Sequence, residues 1–352
     1  MEEGSCKIFC TTLLVIFFTT FTAIHSRADV KTVEDQDIKK YLYAAPKVPV
    51  SPPAKKPSKE LLKVEITTSV TQGVDSNPLL DSTHKADNYT QEMFDLHFKY
   101  PLVAESLGKT DVRFGVNALN VNYFRVTDVN IFDGVADVYL DHNIAKDLDF
   151  SAGYVFESMW YPHNREGNYL GNSFVVSLKH TVTKWLYQRA MYRLEYRSYF
   201  DRKVRLTNYT LSSELRADLR NTCRYELGIY IGKKVKLRVL NDYYVNESNY
   251  QYMDYYDYWA NRTGCALTAI LSKRLFGTAG FYYQRRNYYE RQVSDSEALQ
   301  RDNLYIVTGS LIYDMTDNLS AFVNYSHSEN HTNEPLERYV DTMYSGGLSY
   351  FF

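Results

Sequence analysis

In Leu186-Tyr187-Gln188-Arg189-Ala190-Met191-Tyr192-Arg193-Leu194-Glu195-Tyr196-Arg197, side chains of opposite character fall on opposite parities. Leu186, Ala190, Tyr192, Leu194 and Tyr196 take one parity, and Arg189, Arg193, Glu195 and Arg197 take the other. The next segment repeats this, with Tyr209, Leu211, Leu215, Ala217 and Leu219 against Thr210, Ser212, Glu214, Arg216, Asp218 and Arg220. A third sets Tyr225, Leu227, Ile229, Ile231, Val235 and Leu237 against Arg224, Glu226, Lys234, Lys236 and Arg238. A period of two means strands with one apolar and one ionic face. These runs exceed the roughly 5–6 residues of an ordinary soluble strand and reach the ~9–11 needed to cross a bilayer at a tilt. Only the uncharged face can meet lipid, so the charges line an interior. The chain reads as all-β: a closed antiparallel transmembrane β-barrel.

The composition fits that reading. A net charge of −2 over 352 residues gives no electrostatic reason to expect a nucleic-acid partner. The 33 tyrosines suit a membrane–water interface, where an amphipathic ring is favoured. A mean hydropathy of −0.41 is compatible with a wet lumen and polar loops.

Residues 1–28 read as a cleaved secretory signal, with Lys7 in the n-region, an apolar run over residues 13–24 and small residues around Ser26-Arg27-Ala28. The run is shorter than the ~20 residues of a membrane helix. Residues 29–60 interleave Pro46, Pro49, Pro52, Pro53 and Pro57 with Lys47, Lys55, Lys56 and Lys59. That density predicts an extended, disordered periplasmic tail. It either hands the chain to the barrel or tethers it to peptidoglycan or a periplasmic partner. The barrel domain is expected over 61–352. After cleavage Cys223 and Cys265 remain. Cys223 is placed at a turn and Cys265 about ten residues from the next turn on the same side, ~30 Å along a strand. A disulfide needs Cα atoms within ~7 Å, so free thiols are expected.

From residue 64 onward, alternating segments are joined by connections that are in turn long and short, giving about fourteen strands with both termini on the periplasmic side. Tight turns are expected at Ala145-Lys146-Asp147, Thr183-Lys184, Asn221-Thr222, Arg274-Leu275 and Thr316-Asp317-Asn318, with a longer one over 103–109. Long links are expected over 75–88, 161–168, 240–254, 291–299 and 329–337. Strand twelve, around 304–313, has apolar residues on both parities, so its pattern assigns no facing.

At the C-terminus, Leu348, Tyr350 and Phe352 alternate outward and the chain stops on an aromatic residue. This resembles the terminal signature of bacterial outer-membrane barrel proteins. The resemblance implies an outer-membrane location amid lipid and lipopolysaccharide, and recognition of Phe352 by the barrel-insertion machinery. Gly73-Val74-Asp75-Ser76-Asn77-Pro78 further resembles the corresponding turn of porin-like proteins and of the barrel domain of surface lipoprotein assembly modifiers.

The polar parity yields the candidate pore lining. Strands two to five contribute Asp95, Asp137, Asp141, Asp149 and Glu157. Strands seven to eleven contribute Arg189, Arg193, Arg197, Arg216, Arg220, Lys234, Lys236, Arg238, Arg262 and Arg286, diluted by Glu195, Glu214, Asp218 and Glu226. Acidic and basic walls facing one another would set up a transverse field. The plainer alternative is that these charges pair across strands and plug the lumen, since about fourteen strands lie between the filled eight-stranded barrel and the open sixteen-stranded one. Trp160, Trp185 and Trp259 fall near strand ends, as interface anchors do. Tyr252, Tyr255, Tyr256 and Tyr258 are read as girdle residues, with sugar stacking as the alternative.

Catalysis finds little support, because in Ser326-His327-Ser328 the histidine and its neighbouring serines must point to opposite faces of a strand. His327, Glu329 and His331 are read as an exposed polar loop rather than a metal site. No cofactor is implied. The expectation is a porin-like, non-enzymatic channel for small hydrophilic solutes. Its competitor is a non-conducting barrel acting in export or assembly of surface polysaccharide or lipoprotein.

Overall fold

The computed structural model describes residues 63–81, 85–103, 109–294 and 296–352, so the signal and tail readings lie outside the described residues. The strands are β1 (Lys63–Asp75), β2 (Asp87–Val103), β3 (Thr110–Tyr123), β4 (Ile131–Ala145), β5 (Leu148–Trp160), β6 (Tyr169–Thr183) and β7 (Leu186–Arg205). The second half comprises β8 (Leu211–Ile231), β9 (Val235–Ser248), β10 (Tyr258–Ile270), β11 (Leu275–Gln292), β12 (Leu299–Asp314), β13 (Leu319–Thr332) and β14 (Tyr339–Phe351). Every strand pairs antiparallel with its chain neighbours, and β1 closes on β14, leaving no free edge.

The strands are strongly tilted. One paired row starts at Tyr100, near the foot of β2, and runs through Val112, Leu140, Ala152, Val176 and Tyr192. It continues through Cys223, Tyr243, Asn261, Arg285 and Asn303 to His331 at the head of β13. A row perpendicular to the strands therefore climbs the wall, as closure with stagger requires. Its chemistry changes from apolar to polar as it climbs.

The outward parity forms an apolar belt. Val70, Phe114, Leu140, Phe174, Leu194, Leu267, Leu311 and Leu348 are all exposed. Soluble monomers rarely expose a contiguous apolar band of this kind, whereas a transmembrane barrel turns one to lipid. Aromatic rings flank it at both ends. Phe132, Trp160, Tyr196 and Tyr344 lie toward the long-loop end, and Tyr100, Trp185, Tyr313 and Phe352 toward the short-turn end. Phe352 closes the seam, its N–H donating to Ile66 O at 3.0 Å.

The structure corrects the sequence reading in several places. There is no turn at Asn221-Thr222: β8 runs unbroken through it for 21 residues. The turn is Gly232-Lys233-Lys234, where Gly232 takes φ +65°. Glycine reaches that region without steric cost, whereas Asn221-Thr222 offers no such residue. Asn221 faces outward instead and accepts a hydrogen bond from Tyr192 Oη at 2.6 Å. Lys234 consequently sits in a turn, not on the wall, and Tyr209 and Thr210 lie in the β7–β8 loop. The expected loop over 240–254 is strand as far as Ser248. Cys223 is mid-strand, not at a turn; it and Cys265 are nonetheless both free, on strands separated by β9. Strand twelve now has a facing: Leu304 and Ile306 are buried inward, while Tyr305 and Val307 are exposed.

Candidate functional site

The inner wall holds two different environments stacked along the axis. Toward the long loops it is packed. Arg216, 0% exposed, donates from Nε and Nη2 to both carboxylate oxygens of Asp218, at 2.8 and 2.5 Å. Its guanidinium lies 4.5 Å from the ring centre of Tyr199 and 3.2 Å from that of Tyr256. Tyr256 comes from the β9–β10 loop, residues 249–257, which folds inward so that Tyr250, Tyr255 and Tyr256 are buried. Tyr255, Tyr256 and Tyr258 are therefore not girdle residues: they point inside, where cation–π contacts and burial offset the loss of water.

A second clamp crosses the mouth. Arg291, at the end of β11, donates to both Tyr255 Oη and Glu337 Oε1. Glu337 Oε2 accepts from Gln300 Nε2 at 2.7 Å. Three elements, namely the β9–β10 loop, β11 and the 3-10 turn Pro335–Glu337, are thereby tied by one guanidinium. The start of the first loop, residues 76–81, is also held. Asn77 Nδ2 donates to Asp81 O at 2.7 Å and Val340 O at 3.2 Å, while Leu80 packs with Leu304, Ile306 and Tyr339. The motif Asp75-Ser76-Asn77-Pro78 is thus a clamp onto β14.

Midway down, charges pair in chains. Asp242, 0% exposed, accepts from Arg224 at 2.5 and 2.9 Å and from Arg262 at 2.6 and 3.2 Å. Glu195 binds Arg197 at 2.7 Å and Arg193 at 3.4 Å, and Glu157 accepts from Tyr169 Oη at 2.6 Å. Asp242, Glu195 and Glu157 each have a partner, which is the condition for tolerating a buried charge.

Toward the short turns the wall opens to water. The side chains of Arg113, Lys179 and Arg238 are 42%, 41% and 42% exposed. Arg113 pairs with Asp141, and Lys179 with Asp149 at 3.0 Å. Long side chains come from β2 to β9, whereas β10 to β14 present small inward residues such as Ala266, Thr268, Thr278, Ser310 and Ser349.

All the sequence-nominated residues on the wall carry the inward parity: Asp95, Asp137, Asp141, Glu157, Arg189, Arg193, Arg197, Arg216, Arg220, Lys236 and Arg262. They do not act alike. Arg197, Arg216, Arg262 and Glu157 are locked in buried pairs. Arg220 is held by Asn246 Oδ1 at 3.2 Å and Tyr258 Oη at 2.8 Å. Asp95 lies 3.1 Å from His97. Two uniform opposing walls are not what forms, since Lys99, Arg113 and Lys179 neutralise Asp111, Asp141 and Asp149 within the acidic sector. Sequence reasoning missed Asp242, which it placed in a loop, and the Arg291–Glu337 clamp, which only barrel closure assembles. Arg113 had the right parity and went unnoticed.

His327 faces outward to Thr342, while Ser326 and Ser328 are buried inward. Among the described residues no three His, Cys, Asp or Glu side chains converge to hold a metal ion.

No protein-family model matches the chain, and no curated protein matches it. Similar solved structures include outer-membrane expressed OmpT of Vibrio cholerae, 10% identical over 85% of this chain and 100% of that one, TM-score 0.48. The outer-membrane channel DcaP of Acinetobacter baumannii is 11% identical over 85% of this chain and 100% of that one, TM-score 0.49. An anion-selective porin from Comamonas acidovorans is 8% identical over 83% and 99%, TM-score 0.46. The barrel assignment rests on this chain's own strand pairing rather than on these likenesses.

Proposed function

We propose that this chain is an outer-membrane channel for small hydrophilic solutes, held shut near its outer mouth by inward-folded loops and open to the periplasm through a charged vestibule. The observation that carries this reading is the contrast along one wall: ionisable side chains reach water in the short-turn half and are packed in pairs in the long-loop half. Short turns toward the periplasm and long loops outside is the orientation outer-membrane barrels take. Lipid and lipopolysaccharide would surround the belt, and Phe352, 70% exposed at its lower rim, would be the mark read during insertion.

The competing reading, a non-conducting barrel serving export or assembly at the surface, is favoured by the same packed mouth. Recording in planar bilayers separates the two. The channel reading expects small, infrequent openings from the natural chain and larger, longer ones from Arg291→Gln, which unties the β9–β10 loop from Pro335–Glu337. Absence of conductance in both proteins would sink the channel and leave the competitor.

A further inference from the structure

Four cations gather on the β6–β9 wall of the open half: Lys179, Arg189, Lys236 and Arg238. Strand register makes them neighbours, since Lys179 pairs with Arg189, Arg189 with Glu226, Gly228 with Arg238 and Tyr230 with Lys236. Among the described residues, two carboxylates form ion pairs in this sector. Asp149 binds Lys179 at 3.0 Å. Glu226 accepts from Tyr187 Oη at 2.6 Å and lies 3.9 Å from Arg238. Among the described residues, Lys236 has no carboxylate within ion-pair distance, and Arg189 is bonded to a neutral partner, Ser177 Oγ, at 3.0 Å.

The wall positions this excess instead of letting it spread. The Tyr187 ring lies flat over Gly228, where any Cβ would overlap it. Lys179 sits 5.8 Å and Lys236 5.2 Å from the centre of that ring, and Lys236 is also 5.5 Å from Tyr230. Bringing two ammonium groups onto one ring costs mutual repulsion. Asp149 pairs with Lys179, whereas Lys236 has no carboxylate within ion-pair distance and feels Glu226 only at longer range. A compact excess of positive charge in a water-filled recess with low-dielectric walls concentrates counter-ions.

We propose that Arg189, Lys236 and Arg238, with Lys179 at their edge, form a binding site for a small solute carrying phosphate or carboxylate groups. Arginine and lysine supply the two modes such a ligand needs, since Arg189 and Arg238 offer planar forks for paired oxygens and Lys236 a compact charge. The inference rests on the channel reading for what the solute does there, and it names the class of solute.

The test is isothermal titration of the purified full chain in detergent with inorganic phosphate and, separately, citrate, at two salt concentrations. Saturable binding is expected, weakening with salt. Lys236→Gln and Arg189→Gln should each lower affinity at least about tenfold, equivalent to ~1.4 kcal/mol. Lys236→Arg should retain most of it, and Lys146→Gln, in an exposed turn, should change nothing. If one glutamine variant fails to fold, the other reads the same site. No binding to the natural chain, or unchanged affinity in the folded glutamine variants, would overturn the inference. The two readings fail separately. Conductance without anion binding removes this site and leaves the channel, whereas anion binding without conductance in any variant removes the channel.

Discussion

At the scale of single residues, tyrosine and glycine form repeated cross-strand pairs on the inner wall. Tyr89 lies over Gly73, Tyr139 over Gly153, Tyr187 over Gly228 and Tyr282 over Gly264, each directly paired in register. A flat ring covers the bare backbone opposite and keeps its hydroxyl on the wall. Gly228→Ala should therefore displace Tyr187 and cost about 1–3 kcal/mol in urea unfolding from vesicles. Gly134→Ala, where the nearest neighbour of a new Cβ is Phe132 at 3.8 Å, should cost little. Arg216 makes a sharper case. Arg216→Met strands the buried Asp218 carboxylate and should cost about 3–5 kcal/mol, and adding Asp218→Leu should restore most of that in the same assay. The abundance of tyrosine was plain in the sequence, but its location was not: composition suggested the interface, and much of the ring area is inside. The glycines were the missed signal, since residues of one parity alternating between Gly and Tyr on facing strands mark such pairs.

At the scale of strands and loops, alternation proved more reliable than turn chemistry. Arg220, Thr222 and Arg224 keep one parity straight through Asn221-Thr222, and an unbroken parity should have outweighed two turn-like residue types. On β2 a carboxylate interrupts the apolar parity. Glu92 faces outward on β2, exposed, in a paired row with Val70 and Asn120, and its one side-chain partner is Asn120 Nδ2 at 3.2 Å. A carboxylate on the lipid face is unfavourable, so Glu92→Leu should stabilise the barrel by up to about 2 kcal/mol in reversible unfolding. Inward folding of the β9–β10 loop could not be read from sequence, because Tyr255 and Tyr256 are polar enough for an exposed loop and find Arg291 and Arg216 only after closure. Arg291→Gln tests that element alone, with increased conductance expected and the belt left intact.

At the scale of the whole molecule, one physical arrangement accounts for charge, apolar surface and topology together. A sheet closed on itself satisfies every backbone group along its edges, sends the uncharged parity into lipid and leaves the ionic parity a choice between water and pairing. This chain takes both options, packing charge pairs toward the long loops and exposing charged side chains toward the short turns. That division was legible only in part: parity identified which residues turn inward, while the inward packing of the β9–β10 loop decides which of them are buried. The most direct measurement labels adjacent positions in Cys223→Ser/Cys265→Ser protein inserted in vesicles, using a membrane-impermeant maleimide. Arg193→Cys should react and Leu194→Cys should not, whereas Leu194→Cys carrying a fluorophore attached before insertion should be quenched by a lipid-dissolved quencher. Reaction of Leu194→Cys with the aqueous reagent, while Arg193→Cys stays protected, would contradict the account.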